Sequence, residues 1–115
     1  MLHILKQCER ELAEWPELQR GELADAVARL ERGHQLSMPL SRPMPSIGPR
    51  VHELRFRDRD GIYRIVYWLA GAGTVWLVHA FQKKSKIGRK TPKAEIDLVK
   101  RRLRDADNHA QGPRL

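Results

Sequence analysis

The residues of this 115-residue chain that are best suited to chemistry are cations set among apolar side chains. In the segment 62–69, Arg64 is two residues from both Ile62 and Val66. A β-strand there would place all three side chains on the same face, which is otherwise apolar. A guanidinium in such a place is costly unless it meets a partner or an open cleft, and a phosphate is one such partner. The alternative is an internal salt bridge to a carboxylate such as Glu53, and the sequence leaves both readings open.

Two further predicted strands carry polar groups that could join Arg64. Arg55 and Arg57 share a face with Glu53, where they either line the same surface as Arg64 or coat a solvated side. Strict alternation in the strand predicted over residues 74–83 places five side chains on one face, which are Val75, Leu77, His79, Phe81 and Lys83. His79 would serve as a general acid or base only if it faces that cleft, since its ordinary pKa is near neutral. Otherwise it is a core histidine bonded to a backbone carbonyl.

Positive charge is concentrated in one part of the chain. Residues 50–104 hold fifteen basic and five acidic side chains, whereas the whole chain has a net charge of +8. Six candidate phosphate-binding cations follow the third strand or begin the last helix, namely Lys83, Lys84, Lys86, Arg89, Lys90 and Lys93. Cations and helix N-termini bind phosphates and can stabilise phosphodiester cleavage without a metal. The electrostatic field of this basic segment predicts a nucleic-acid partner, although an acidic protein would be attracted as well.

Several other kinds of site are excluded. The stretch His-Glu-Leu-Arg-Phe at 52–56 lacks the second histidine of a zinc-protease helix, so no metal or cofactor is expected. Cys8 is the only cysteine, which excludes an internal disulfide and suits a reducing compartment. No apolar run approaches the roughly 20 residues of a membrane span, and the first residues lack a secretory signal. We therefore expect a cytoplasmic protein without a membrane partner.

The N-terminal part is predicted to be a helical hairpin. Apolar residues three and four apart indicate a helix over residues 4–15, with a strand over residues 2–6 as the alternative. Pro16 would end this helix and open a second one, which Gly33 would terminate. Four prolines and a glycine in residues 37–49 then exclude helix and interrupt any sheet ladder.

The remainder is predicted to be three strands and a helix. The strands cover residues 51–57, 62–69 and 74–83, and the short glycine-bearing gaps between them indicate an antiparallel meander. Thr91 is expected to cap a last helix that starts at Pro92 and ends near Arg104. Residues 1–106 would then form one α+β domain, with the helical hairpin packed on a sheet of three or four antiparallel strands and residues 107–115 as a flexible tail.

The order of these elements and four motifs resemble the RelE/HigB toxin superfamily, and more closely its phage-derived HigB-type branch. The motifs are Glu-Leu-Arg at 53–55, Gly-Ile-Tyr-Arg-Ile-Val-Tyr at 61–67, His-Ala-Phe-Gln-Lys-Lys at 79–84 and Lys-Thr-Pro-Lys-Ala-Glu-Ile at 90–96. The resemblance covers roughly residues 8–104. It implies a RelE-like fold and the toxin of a type II toxin–antitoxin module. Such a toxin is a metal-free endoribonuclease that cuts messenger RNA, usually on the ribosome, and is inhibited by an antitoxin, here expected to be of helix-turn-helix type.

The resemblance also implies roles for individual residues. Arg64 matches the arginine that contacts the scissile phosphate, and Arg55 and Lys84 match basic residues on the neighbouring strand and after the last strand. The RNA 2′-hydroxyl would attack its own phosphate and leave a cyclic phosphate. The final helix lacks the tyrosine that serves as base, and residues 85–89 form a longer segment than in many relatives. His79 is then the first candidate for the proton acceptor and Lys93 the second.

Two other functions remain compatible with the sequence. ParE-type toxins share the fold but inhibit DNA gyrase and cut no RNA, and a plain nucleic-acid-binding module would need only the basic segment. Cleavage would be favoured if the side chains of four residues point into one space, namely Arg55, Arg64, Lys84 and His79. Side chains that point in different directions would favour binding alone.

Overall fold

Helices and strands form an α+β fold in the computed structural model, which describes residues 1–59, 61–83 and 91–110. The predicted class is therefore confirmed. Within these residues the elements are β1 (Leu2–Ile4), α1 (Lys6–Ala13), α2 (Glu17–Glu31), β2 (Ser41–Pro43), β3 (Val51–Asp58), β4 (Gly61–Gly71), β5 (Thr74–Lys83) and α3 (Lys93–Ala110). No helix in the described ranges has the length and apolar character needed to cross a membrane.

The sheet has five strands in the order β1-β5-β4-β3-β2. The predicted meander is confirmed as β3, β4 and β5, but the expectation of a purely antiparallel sheet of three or four strands is wrong, because β1 joins β5 in parallel. Both predictions for the first residues are partly right: a strand forms over Leu2–Ile4 only, and the predicted helix ends at Ala13 instead of residue 15 and begins at Lys6 instead of residue 4. The cause is the long-range pairing of Leu2–Ile4 with Val75–Leu77, which local helical periodicity cannot reveal.

The other additional strand lies in the proline-rich segment. Residues Ser41, Arg42 and Pro43 pair with Leu54, Glu53 and His52 at the outer edge of the sheet. A proline is tolerated on an edge strand, since no further strand needs the N–H that it lacks. The prediction that residues 37–49 interrupt any ladder is therefore wrong for three of them, and their pairing places Arg42 directly beside Glu53.

The helices cover both faces of the sheet. Trp15, just after α1, packs edge-on against Phe56 and Tyr63 at centroid distances of 6.3 and 5.3 Å, and these two rings are cross-strand partners. This contact confirms that the helical hairpin packs on the sheet. Val99 and Ala106 of α3 are fully buried, and α3 covers the opposite face, which carries Glu53 and Arg64. The polar residues of interest consequently lie between the sheet and α3.

A bulge in β5 determines which of its residues share that face. Val66 pairs with His79 and the next residue, Tyr67, pairs with Leu77, so Val78 is an extra residue. The predicted set of five side chains on one face is therefore broken, because Val75 and Leu77 fall on the opposite face from His79. Phe81 pairs with Arg64, and the bulge thus places His79 and Phe81 on the same face as Arg64.

The last helix is longer than expected at its C-terminal end. It starts at Lys93, one residue after the predicted Pro92, and continues to Ala110 instead of ending near Arg104. The first four residues of the predicted tail therefore belong to α3, while residues 111–115 lie outside the described residues. The tail itself stays a prediction.

We predict that Gly73→Ala destabilises the fold by about 1–3 kcal/mol. Gly73 has φ of +69° in the turn between β4 and β5, and an added Cβ would lie 3.0 Å from the carbonyl oxygen of Glu31. Gly71→Ala is the matched control, because its Cβ would meet nothing within 4 Å. Chemical denaturation measures both free energies of unfolding, and equal values for the two variants would contradict the prediction.

Candidate functional site

Three arginines surround one buried carboxylate on the face beneath α3. The Oε1 atom of Glu53 lies 3.4 Å from Nη2 of Arg42, 3.7 Å from Nη1 of Arg64 and 3.9 Å from Nε of Arg55. Strand register brings these side chains together, since Arg42 is the cross-strand partner of Glu53 and Arg55 that of Arg64. We call these four residues the Glu53 cluster.

Thr91 connects the cluster to the segment that precedes α3. Its hydroxyl donates to Oε2 of Glu53 at 2.8 Å and accepts contacts from Arg42 at 3.4 Å and Arg64 at 3.5 Å. The helix itself begins two residues later, where the carbonyl of Pro92 accepts the first helical bonds. Instead of the predicted capping, the structure shows the Thr91 side chain bonded to a buried acid.

The cluster contains more positive than negative charge. Three guanidinium groups meet one carboxylate among the described side chains, and the exposed fraction is 0% for Arg64, 9% for Arg55 and 25% for Arg42. Burial lowers the pKa of the Arg55 guanidinium, the charge of Arg64 lowers it further, and Glu53 opposes both. The Nε atom of Arg55 is buried and has no hydrogen-bond acceptor among the residues described. Guanidinium groups gathered in this way are suited to contact an anionic group such as a phosphate.

The structure places some of the predicted site residues here and not others. Arg55 and Arg64 converge, and Arg64 has the salt bridge to Glu53 that the sequence left as the alternative. Arg57 and Lys93 are exposed. The backbone of Lys83 ends β5 opposite Ile62. The side chain of Lys83 lies outside the described residues, as do all of Lys84, Lys86, Arg89 and Lys90.

His79 belongs to a second group of polar residues on the same face. Its Nδ1 atom lies 3.0 Å from Oε1 of Glu11, its Nε2 atom contacts Glu95, and Arg102 donates two bonds to Glu11 at 2.7 and 3.0 Å. We call these four residues the Glu11 network. His79 is thus bonded to carboxylates and not to the backbone carbonyl that the sequence offered as the alternative. With both ring nitrogens engaged, it can accept a substrate proton only if one carboxylate moves away, and that role stays a prediction.

Side chains of the Glu11 network form hydrogen bonds with backbone groups at an open edge of the sheet. The strand β1 ends at Ile4, so in the part of the chain that the structure describes β5 has no strand partner on that side beyond Leu77. The N–H of Ala80 donates to Glu11 at 3.1 Å, and the carbonyl of Val78 accepts from Arg102 at 3.1 Å. Side chains of α1 and α3 thereby replace the missing strand, as buried backbone groups require. In the described parts of the chain, no group of three or more His, Cys, Asp or Glu is arranged to hold a metal ion.

Sequence reasoning missed Arg42, Thr91 and the partners of His79. Arg42 stands between prolines, where no strand signal is visible. Glu95 and Arg102 are seven residues apart, two helical turns on one face of α3, and this spacing was the available signal that they act together. Glu11 gave no signal, because it reaches β5 from another element.

Comparison with known proteins gives one family. The model of the family described as "Phage derived protein Gp49-like (DUF891)" matches residues 10–104, which run from α1 into α3 and include both polar groups. No curated protein matches the chain.

We predict that Glu53→Gln lowers the free energy of unfolding by about 3–5 kcal/mol, because the three arginines then lose their buried counter-ion. Inorganic phosphate should stabilise this variant more than the parent protein, since it supplies the missing anion. The control is Glu22→Gln on the exposed face of α2, expected to change stability by less than about 0.5 kcal/mol. Thermal unfolding in phosphate and in chloride at equal ionic strength measures both effects. An unchanged stability of Glu53→Gln would contradict the role given to this carboxylate.

The Glu11 network predicts a specific acid sensitivity. Burial raises the pKa of Glu11, but hydrogen bonds from His79, Arg102 and the Ala80 backbone outweigh it and lower the pKa from 4.5 to about 2. Folding therefore favours the carboxylate, and this stabilisation is complete above about pH 4.5 and lost as the pH falls toward 2.

As the pH falls from about 4.5 to 2, the free energy of unfolding of the parent protein should decrease by about 1–2 kcal/mol more than that of Glu11→Gln. This figure allows for solvent screening, because the Glu11 side chain is partly exposed. Unfolding free energies measured across this range test the prediction, with the exposed Glu14→Gln as control. Parallel pH profiles for the parent protein and Glu11→Gln would show it to be wrong.

Proposed function

Since the chain belongs to the Gp49-like family of phage-derived proteins, we propose that it is the toxin of a type II toxin–antitoxin module and cleaves messenger RNA. The observation that carries the proposal is the excess of cations in the Glu53 cluster. A phosphodiester would supply the anion that this cluster favours, and the basic residues that follow β5 in the sequence would extend the attraction along the RNA backbone.

The proposed reaction is a transfer within the RNA. The 2′-hydroxyl oxygen attacks the adjacent phosphorus, the bond from phosphorus to the 5′-oxygen of the next nucleotide breaks, and a 2′,3′-cyclic phosphate and a 5′-hydroxyl result. Arg55, at the border of the cluster, is proposed to contact the phosphate and stabilise its developing negative charge. Arg64 has no exposed surface, so it acts through its charge and by holding Glu53, and direct contact with RNA requires the site to open.

The proposal includes the partners that the resemblance implies. The toxin would act in the cytoplasm on ribosome-bound messenger RNA, without a metal ion, and a helix-turn-helix antitoxin would inhibit it. Lys84 and the following basic residues would contact RNA, and the proton acceptor would be His79 after release of a carboxylate, or Lys93. Support for these assignments comes from the four motifs between residues 53 and 96 and from the convergence of Arg55 and Arg64.

A second function is favoured by one observation. Arg64 is fully buried against Glu53, and both nitrogens of His79 contact carboxylates, which is how polar residues of a purely structural core are arranged. A toxin that binds a protein target such as DNA gyrase, as ParE-type toxins do, would need neither side chain at its surface. A nucleic-acid-binding module without catalysis would not need them either.

Arg55→Ala is predicted to reduce RNA cleavage at least about 100-fold, the loss typical of removing one donor to a developing oxyanion. Arg64→Ala is also expected to reduce cleavage, because Arg64 contributes its charge and holds Glu53 in the cluster. Primer extension on transcripts after induction, with and without translating ribosomes, measures the new 5′ ends, and circular dichroism checks folding. Arg20→Ala is the matched control, because Arg20 is exposed on α2 and away from the cluster.

The same experiment separates the two functions. Growth inhibition with new 5′ ends supports the nuclease. Growth inhibition without new 5′ ends, together with altered supercoiling of a reporter plasmid, would support the gyrase-type toxin. Full cleavage by a folded Arg55→Ala, Arg64→Ala double variant would rule out the Glu53 cluster as the catalytic site.

A further inference from the structure

A cleft opens beside the Glu53 cluster, between the proline-rich segment and the start of α3. Its volume is about 290 Å³. It is lined by the apolar residues Pro43, Met44, Pro45 and Ile96 and by the polar residues Arg42, Ser46 and Thr91. We call it the proline cleft. Met44 is buried while Pro43 and Pro45 are exposed, so the cleft has an apolar interior and an accessible rim.

The proline cleft and the Glu53 cluster share side chains. The Nη2 atom of Arg42 lies 3.4 Å from Oε1 of Glu53 and 3.6 Å from Sδ of Met44. Thr91 likewise lines the cleft and donates to Glu53. A ligand bound at the cluster through an anionic group would therefore place its neighbouring part in the cleft.

The dimensions and chemistry of the cleft indicate which chemical group of the ligand, next to its anionic group, would fit there. Small-molecule pockets usually measure roughly 300–1,000 Å³, so a cleft of about 290 Å³ accommodates one ring system and not an extended segment. Proline rings and the methionine side chain form flat or adaptable apolar walls, and an arginine plane at the border is a surface on which bases stack in RNA-binding proteins. A nucleotide fits this combination, because its base offers a flat aromatic face for such walls and is joined to a phosphate through one ribose.

We propose that the proline cleft binds the base of the nucleotide next to the scissile phosphate and thereby sets the sequence preference of cleavage. This inference rests on the proposed nuclease function and adds the substrate contact that decides where the RNA is cut. Phosphate contacts alone carry no sequence information, whereas a shaped site for an unstacked base does. The proposal gives the segment 43–46 a function in recognition beyond connecting α2 to the sheet.

The methionines of the full chain provide a direct test. Met44 lies in the cleft, whereas Met1 and Met38 are exposed and do not line it. In protein with ¹³C-labelled methionine methyl groups, nucleoside monophosphates should shift the Met44 signal and leave those of Met1 and Met38 unchanged. Inorganic phosphate and ribose 5-phosphate supply the anion without the base, and they should shift Met44 much less. Equal shifts with ribose 5-phosphate, or no shift of Met44 with any nucleotide, would overturn the proposal.

A pair of variants tests the apolar wall. Ile96→Ala removes a wall of the cleft and should weaken nucleoside monophosphate binding roughly tenfold, as loss of a buried aliphatic contact implies. Ile4→Ala makes the same chemical change on the distant strand β1 and should leave binding unchanged. Equal binding by the two variants would contradict the proposal.

Cleavage measured with the same protein preparations, with and without translating ribosomes, separates this inference from the proposed function. If the parent protein cuts RNA but Met44 does not respond to nucleotides, the cleft proposal is wrong and the nuclease stands. If Met44 responds but no RNA is cut, the nuclease is wrong and the cleft stands as a nucleotide site. If both hold, Ile96→Ala should also change the distribution of cleavage sites on a defined transcript, and an unchanged distribution would overturn the role in sequence preference.

Discussion

The contact between the Glu53 carboxylate and three arginines is the interaction on which the central part of this structure depends. It joins β2, β3 and β4 through their side chains and, through Thr91, fixes the segment that leads into α3. Because Glu53 is fully buried, its charge is tolerated only with these partners, and the arginines in turn need it. Removal of the carboxylate would therefore loosen the site and the packing of α3 together.

The two polar groups on this sheet face differ in charge balance, and that difference indicates where function lies. The Glu11 network sets two carboxylates against one arginine and one histidine, and it satisfies the backbone of Val78 and Ala80, so its polar atoms have internal partners. The Glu53 cluster has two more cations than anions among the described side chains. An internally satisfied group stabilises a fold, whereas a group with excess charge near the surface is suited to bind an anion.

Local patterns predicted the parts of the fold that local physics determines. Strand alternation placed Glu53 with Arg55 on one face of β3, and Arg64 with Val66 on one face of β4, correctly, because the pleat depends only on neighbouring residues. That these two faces coincide follows from the register, which the sequence left open. Alternation failed at Val78, where a bulge reverses it. Local patterns gave β1 only as an alternative, because the partners of Leu2–Ile4 are distant in the chain, and they missed β2, whose prolines conceal the strand. Arg42 was missed for the same reason, since only its pairing opposite Glu53 gives it a role. The sequence also left open whether Arg64 meets a phosphate or Glu53, because both satisfy the same guanidinium.

This last ambiguity bears on how the proposed chemistry would work. With no tyrosine in α3 and with His79 bonded to two carboxylates, the described site offers cations much more readily than a free base. A cluster of arginines stabilises the anionic transition state and also favours ionisation of a nearby hydroxyl, so charge alone contributes to both parts of the reaction. The excess of arginines over carboxylates at Glu53 is then the property that the proposed catalysis would require, and Glu53 would keep those cations assembled in the absence of RNA.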